Sequence, residues 1–474
     1  MLWTRLAPDP LNGGGMHRHR VEVTWQVATD PRMLDVVRVG GTIAHPGAGH
    51  AVSIRVEGLR SDTWYYYQFA AAGERSRIGR TRTFPSFSST PPEMRFALVS
   101  CQNYEHGFFA AYRDICRQQI DFVTHVGDYI YESAANPNVP DERRHTGGKL
   151  ESVDDYRNRY ALYRLDPDLQ NAHAGFPFLV TWDDHEVDNN YAGLIPEDNQ
   201  SPQEFLRKRE NAYRVYKETM PLRIDSFRRA KTRIYRRLRF GALAELFMLD
   251  CRQYRTDQPC GDGTKTLQSC SAMVDPSTTM LGMRQEDWLY RNLVRSRANW
   301  NVLAQSVLMM RLDLGALLGP NPPLNLFQMD TWDGYQAARD RLTAFIAQNH
   351  VENIVVLSGD IHSSWAGELK CDFSNPDSPT AGTEIVCSGV TSKFGRVNDA
   401  EMQTIVSSNP HVRFFDGLHR GYALCTVTPH EWRTDFRAVT RAESPIFSVP
   451  AADLPLFNLA SYAIRNGDPQ LTQV

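Results

Sequence analysis

Residues 125–133 read His-Val-Gly-Asp-Tyr-Ile-Tyr-Glu-Ser (HVGDYIYES) and follow the apolar run Asp121-Phe122-Val123-Thr124. That run has the length and composition of a buried strand. A carboxylate, Asp128, and a phenol, Tyr131, therefore stand at its carboxyl end, just after a glycine. Three other apolar runs end alike: RFALVS leads into Cys101, FPFLVTW into Asp183, Asp184, His185 and Asn189, and NIVVLSGD into Asp360 and His362. Helical patterns lie between them, in FFAAYRDICRQQ, in SVDDYRNRYALYRL with its Ser152/Asp155 capping box, and from Ser201 to Met220. Later come AELFMLD, RQEDWLYRNLVRS, WNVLAQSV and YQAARDRLTAFIAQ, and after about Thr383 the chain is strand-rich again. Alternating strands and helices predict an α/β domain with helices outside the sheets. The carboxyl ends of strands in such sheets open into one crevice, so these polar groups are expected to meet there.

Residues 1 to 88 follow a different period. Val21, Val23, Trp25 and Val27 alternate with polar residues, Val52, Ile54 and Val56 repeat the pattern, and Tyr65, Tyr67 and Phe69 share one face. Period-two strands between Gly, Pro and Asp turns predict a small all-β sandwich. The Pro- and Ser-rich FPSFSSTPPEM marks a linker before a second domain, 95–474.

The chain has 474 residues, a formal net charge of −3 and 42% hydrophobic residues. It carries no basic footprint for nucleic acid, no polybasic membrane anchor and no apolar run of the roughly 18 residues a transmembrane helix needs. Its first residues, MLWTRLAPDPLNGGGM, lack the basic-then-apolar layout of a secretory signal. Cys260 and Cys270 bracket a polar loop and read equally as a short disulfide or as two free thiols.

Taken singly, each strand-end residue has an ordinary explanation: an aspartate caps or turns, a tyrosine packs, a cysteine fills space. Together they put several anionic groups into one dry cleft, which is costly without cations. Carboxylates suit hard cations such as calcium or magnesium, whereas a thiolate with a phenolate favours a transition metal, ferric iron being the natural candidate. Clustered cations activate water and stabilise charge on a phosphoryl group, so phosphate ester hydrolysis is the expected chemistry.

The segments SCQNY, GDYIYE, VTWDDHEVDNNYAG, LDCRQYR, LGMRQEDWL and SGDIHSS resemble the PhoD-like alkaline phosphatases of the calcineurin-like metallophosphoesterase superfamily, over residues 95 to about 430. The resemblance implies a four-layer α/β/β/α sandwich preceded by a small all-β sandwich of fibronectin III type. It implies an Fe3+ and Ca2+ centre that hydrolyses phosphate mono- or diesters through metal-activated hydroxide. On the matching positions Cys101 and Tyr131 bind iron, Asp128 bridges, and Asp184, Asp360 and His362 complete the metal ligands. Either Asp183 or Asn189 shares the calcium site, and His185 assists the leaving group. Arg252 is a candidate phosphate clamp, with a loop-holding salt bridge the equal alternative.

Some relatives act as phospholipase D-like diesterases, so a phospholipid is an alternative substrate to a small phosphate ester; a surface protein with a structural metal is the more remote reading. Kinship also implies a periplasmic or extracellular enzyme. A Gly-Val-Ala-Ser-Gly-Asp-Pro strand usual in the family has no counterpart before Met1, so the sandwich is expected to be one strand short. The polar stretch from Ala134 to Lys149, with Arg143, Arg144 and His145, is the expected gate to the cleft.

Overall fold

The apolar strand-end runs assemble into two facing sheets. The computed structural model describes residues 1–16, 18–198, 200–222, 227–228, 231–319, 325–395, 398–441 and 456–474. In the first sheet Phe178–Val180, Phe122–His125 and Met94–Val99 lie parallel in that order; His419–Val427, Glu431–Arg441, Phe457–Arg465 and Asp468–Gln473 then extend it antiparallel. In the second sheet Ala244–Met248, Trp300–Ala304, Ile354–Ser358 and Thr380–Val386 are parallel neighbours. Arg236–Phe240 flanks them on one side and Ser364–Lys370 with Val412–Asp416 on the other, all antiparallel.

The parallel strands are almost uniformly buried because both faces of each sheet are covered. Between the sheets Phe96, Phe122, Leu246, Trp300, Val302, Val355, Leu357 and Trp432 form one core. Behind the first sheet Ala97, Val99 and Val123 pack against Tyr112, Tyr160, Leu169 and Tyr213 of the helices Ala110–Ile115, Val153–Tyr163, Pro167–Gly175 and Pro202–Thr219. Behind the second sheet Phe247, Leu303 and Val356 meet Leu289 and Leu342 of Met283–Leu293 and Gln336–Gln348. The layers are thus helix, sheet, sheet, helix, as the sequence led one to expect. The Ser152/Asp155 capping box forms, as does a second one at Ser201/Glu204 that also accounts for the helix predicted from Ser201.

The first 85 residues are all-β. Leu2–Arg5 pairs with Ala51–Ile54, and a larger sheet joins Val36–Ala44, Val21–Ala28, Trp64–Ala71, Glu74–Arg75 and Gly79–Arg82. Leu2 and Val52 from the small sheet share a core with Val23, Val27, Tyr65 and Phe69 from the large one, which makes a sandwich of the predicted faces. Trp3 donates from its indole to the Glu218 carbonyl and Arg80 donates to that of Gly175, tying the sandwich to the helical layer. Among the described residues no helix is long and apolar enough to cross a membrane.

Candidate metal centre

The carboxyl ends of both parallel strand sets face one cleft, and loops a few residues long carry the polar groups into it. A glycine precedes Asp128 because two of these loops nearly touch there. At φ +121° Gly127 adopts a backbone other residues avoid, and a Cβ there would stand 2.4 Å from the Asp183 Cβ. The two loops come this close because the buried carboxylate of Glu186 accepts the backbone N–H groups of Asp128 (3.1 Å), Tyr129 and Asp183 (2.7 Å). Burial still pushes Glu186 up to about 7. Cys101 N–H donates to the Gly127 carbonyl, and the Cys101 carbonyl accepts from Ser392 N–H, so three loops interlock around the thiol. Cys101, Asp128, Asp360 and His362 all have φ between 55° and 63°. Left-handed backbone at four non-glycine residues costs on the order of 1 kcal/mol or more at each, and such strain concentrates at functional sites.

Three overlapping donor sets result, in each of which the ligand atoms lie within 4.8 Å of one another: Cys101, Asp128 and His362; Asp128, Asp184 and His185; Asp183, Asp184 and Asp360. Asp128 belongs to the first two sets and so occupies a bridging place. Tyr131 Oη lies beside the first set, donating to Asp128 Oδ2 at 2.8 Å and standing 3.0 Å from His362 Nε2 and 2.7 Å from Ser392 Oγ. Six of the nine sequence-predicted residues, Cys101, Asp128, Asp184, His185, Asp360 and His362, thus fall within these sets, and Tyr131 touches one.

The electrostatics are those of anionic donors crowded together. Burial, then the neighbouring Asp128 carboxylate, drives both the Cys101 thiol and the Tyr131 phenol well up. Burial likewise lifts Asp128 and Asp360 far above the carboxylate range. Asp184 is the exception: burial raises it, but Arg252 and His185 outweigh that and hold it low. His185 is raised well above its ordinary value, burial being overcome by Asp184, Glu132 and Asp128. Among the described residues, two carboxylate oxygens, Asp128 Oδ1 and Asp184 Oδ1, are buried without a hydrogen bond, the latter 3.6 Å from Arg252 Nη2. Buried polar atoms are nearly always hydrogen-bonded, so unsatisfied oxygens on these two residues, shared between donor sets, fit cation ligation.

The chain matches the family model of the PhoD-like phosphatase over residues 96–436, and that of the PhoD-like phosphatase N-terminal domain over residues 1–85. The chain belongs to the PhoD-like phosphatases. It is 44% identical over 450 residues to alkaline phosphatase D of Bacillus subtilis (strain 168), covering 94% of this chain and 76% of that protein. It is also similar to a solved structure of PhoD, with a TM-score of 0.92 and 42% identity over all of this chain and 88% of that one. This is therefore a phosphatase, an enzyme of metal-dependent phosphate ester hydrolysis. The reading as a surface protein with a purely structural metal does not survive the match.

Two predicted site residues of this PhoD-like phosphatase are not members of the donor sets, although one of them, Arg252, pairs with all three carboxylates of the third set. Arg252 is fully buried and spends its guanidinium on Asp183 (2.5 and 3.2 Å), Asp330 (2.9 and 2.8 Å) and Asp360 (3.2 Å), the geometry of the salt-bridge alternative. Asn189 turns its side-chain amide to Glu197 and gives its backbone N–H to Glu132 at 3.2 Å. The stretch expected to gate the cleft is pinned: Arg143 is buried against Asp166 at 2.8 Å, and buried His145 lies 3.0 Å from the Tyr163 hydroxyl. Cys260 and Cys270 form a disulfide.

Sequence reasoning overlooked several partners. Glu132, buried directly after Tyr131, accepts from His185 Nδ1 at 2.7 Å, and Glu186 staples the loops. Both belong to motifs that carry the donors, GDYIYE and WDDHE, so their signal in the sequence is a further carboxylate directly beside a ligand or its histidine. Asp330, which also takes Arg255 at 2.7 Å, and Ser392 lie in loops with no local signal.

Proposed function

We propose that Cys101, Asp128, Tyr131 and His362 hold ferric iron, that Asp184 with the shared Asp128 holds calcium, and that the centre hydrolyses phosphate mono- and diesters. The observation that carries this reading is the pair of orphaned oxygens on Asp128 and Asp184. The thiol and phenol argue for the transition metal, and the carboxylates for the harder ion. Such cations supply activated water and offset charge on the phosphoryl oxygens.

The protein's own part lies in holding and moving a proton. Glu132 accepts the Nδ1 hydrogen of His185 and so fixes the ring, leaving Nε2–H for the departing alkoxide oxygen. Asp184, Glu132 and Asp128 favour the charged imidazolium and so raise His185 above its ordinary value. In this reading Arg252 is a fixed counter-charge that holds Asp183, Asp330 and Asp360 in place, and Asn189 stands on the rim with Glu197. The units 1–88 and 95–474 are the sandwich and the catalytic domain. The Cys260–Cys270 disulfide supports a periplasmic or extracellular setting.

Release of inorganic phosphate from 4-nitrophenyl phosphate tests the proposal. Chelation is expected to abolish it while circular dichroism keeps the folded signal. Undiminished release after chelation, or from His185→Ala, would remove the assignment.

A further inference from the structure

A cavity of about 600 Å³ lies where the all-β sandwich meets the edges of both sheets. Its walls are apolar: Phe178 and Leu179 come from the edge strand of the first sheet, Leu238 from that of the second, and Leu2, Trp3 and Phe69 from the sandwich. No member of the donor sets borders it. The volume falls within the range usual for small-molecule sites, about 300–1,000 Å³.

The charge on these walls has one sign. Six arginines line the cavity, and among the described residues no aspartate or glutamate does. Arg82 is paired with Asp62 and Asp121, but Arg80, Arg164 and Arg236 meet only neutral groups. Arg164 is the best placed of them. Its Cζ lies 4.2 Å from the centre of the Trp3 ring, and it donates to the Tyr129 hydroxyl at 3.2 Å and to the Thr219 carbonyl at 3.0 Å. Trp3 and Thr219 both border the cavity, so this guanidinium stands at its wall. Arg236 reaches from the second sheet to the Val180 carbonyl of the first at 2.9 Å, and burial pulls it down to about 10. Arg80 lies over Trp64 and Phe176, 4.0 and 5.1 Å from their ring centres. All three side chains are half-buried. Cations partly withdrawn from water and given only neutral partners are stabilised by a bound anion.

A small inorganic anion would leave the apolar walls uncovered, and a plain hydrocarbon would leave the guanidinium groups unpaired. A carboxylate on a hydrocarbon chain complements both. We propose that this cavity binds a fatty acid, with its carboxylate on Arg164 and its chain against the apolar walls. Isothermal titration calorimetry with laurate, kept below its micellar concentration, tests this beside dodecanol and acetate, which carry the chain and the carboxylate separately. Laurate is expected to bind once per chain, and both comparison compounds at least tenfold more weakly. Arg164→Met should weaken laurate by about tenfold or more, the effect of one hydrogen bond to a charged group. Should that variant not fold, Arg236→Met, which removes a second lining cation, takes its place. Ala161 borders the cavity three residues before Arg164 on the same helical face, so Ala161→Phe fills the space without altering charge and should abolish binding. Circular dichroism and release of phosphate from 4-nitrophenyl phosphate should stay unchanged in Ala161→Phe, which separates lost binding from lost folding. No saturable laurate binding in the wild type, dodecanol binding as tightly as laurate, or undiminished binding in the arginine variant and Ala161→Phe would each overturn the inference.

Discussion

Removing the Arg252 guanidinium separates the two roles considered for it. Arg252→Met keeps the length of the buried side chain but strips the counter-charge from Asp183, Asp330 and Asp360, which receive five of its hydrogen bonds. Breaking a buried ion pair by deleting one partner costs about 3–5 kcal/mol, because the remaining charge stays uncompensated. Here three carboxylates lose a partner, although Asp330 keeps Arg255 at 2.7 Å, so the upper half of that range is expected. For a chain this long, roughly 1–1.5 °C of melting temperature accompanies each kcal/mol, which gives a drop of about 5–7 °C. Scanning calorimetry of the chelator-treated protein is the assay, since bound cations would mask part of the loss. Arg252→Lys, which keeps the charge without the fork, should fall between. A variant melting within a degree of wild type, with kcat lowered a hundredfold or more, would refute the counter-charge reasoning and restore Arg252 as a phosphate clamp.

Three further outcomes follow from the same geometry. Glu132→Gln should lower kcat by one to two orders of magnitude and move the basic limb of the pH–rate profile down. With one of the carboxylates that favour the imidazolium removed, His185 loses its proton at lower pH. Gly127→Ala should unfold readily or fail to retain metal, because the added Cβ meets Asp183 at 2.4 Å in a backbone conformation alanine resists. Acid should destabilise the fold below pH about 6.5. Burial holds His125 down to about 3 and His411 to about 4, so the folded state binds fewer protons than the unfolded one as pH falls. Each contributes a loss of about 1.4 kcal/mol per pH unit between the unfolded and folded values, readable as a falling urea midpoint.

The layers of the fold were legible because their strands, buried on both faces, stand out as short uninterrupted apolar runs such as Phe96–Val99 and Ile354–Ser358. The centre was legible for a related reason: Cys101, Asp128, Asp184 and Asp360 follow their strands by only a few residues, so strand position fixes theirs. Where that link is missing, the reading failed. Asp330 reaches the site from a loop after no parallel strand, and Ser392 lies six residues beyond the parallel strand Thr380–Val386, so only the tertiary fold brings them in. Arg252 illustrates another limit. A guanidinium after a strand suits a phosphate or a carboxylate equally well, and which it meets depends on Asp183, Asp330 and Asp360 converging from three distant segments. The edge strand Val412–Asp416 and the helix Asp399–Ser408 also went unread, being short and weakly patterned.

Metal content tests the central claim most directly. Elemental analysis of the purified, desalted protein should find one iron and at least one calcium per chain, with the iron lost from Cys101→Ala and both reduced in Asp128→Asn. A wild-type chain that carries no stoichiometric metal, yet releases phosphate in the presence of a chelator, would contradict it.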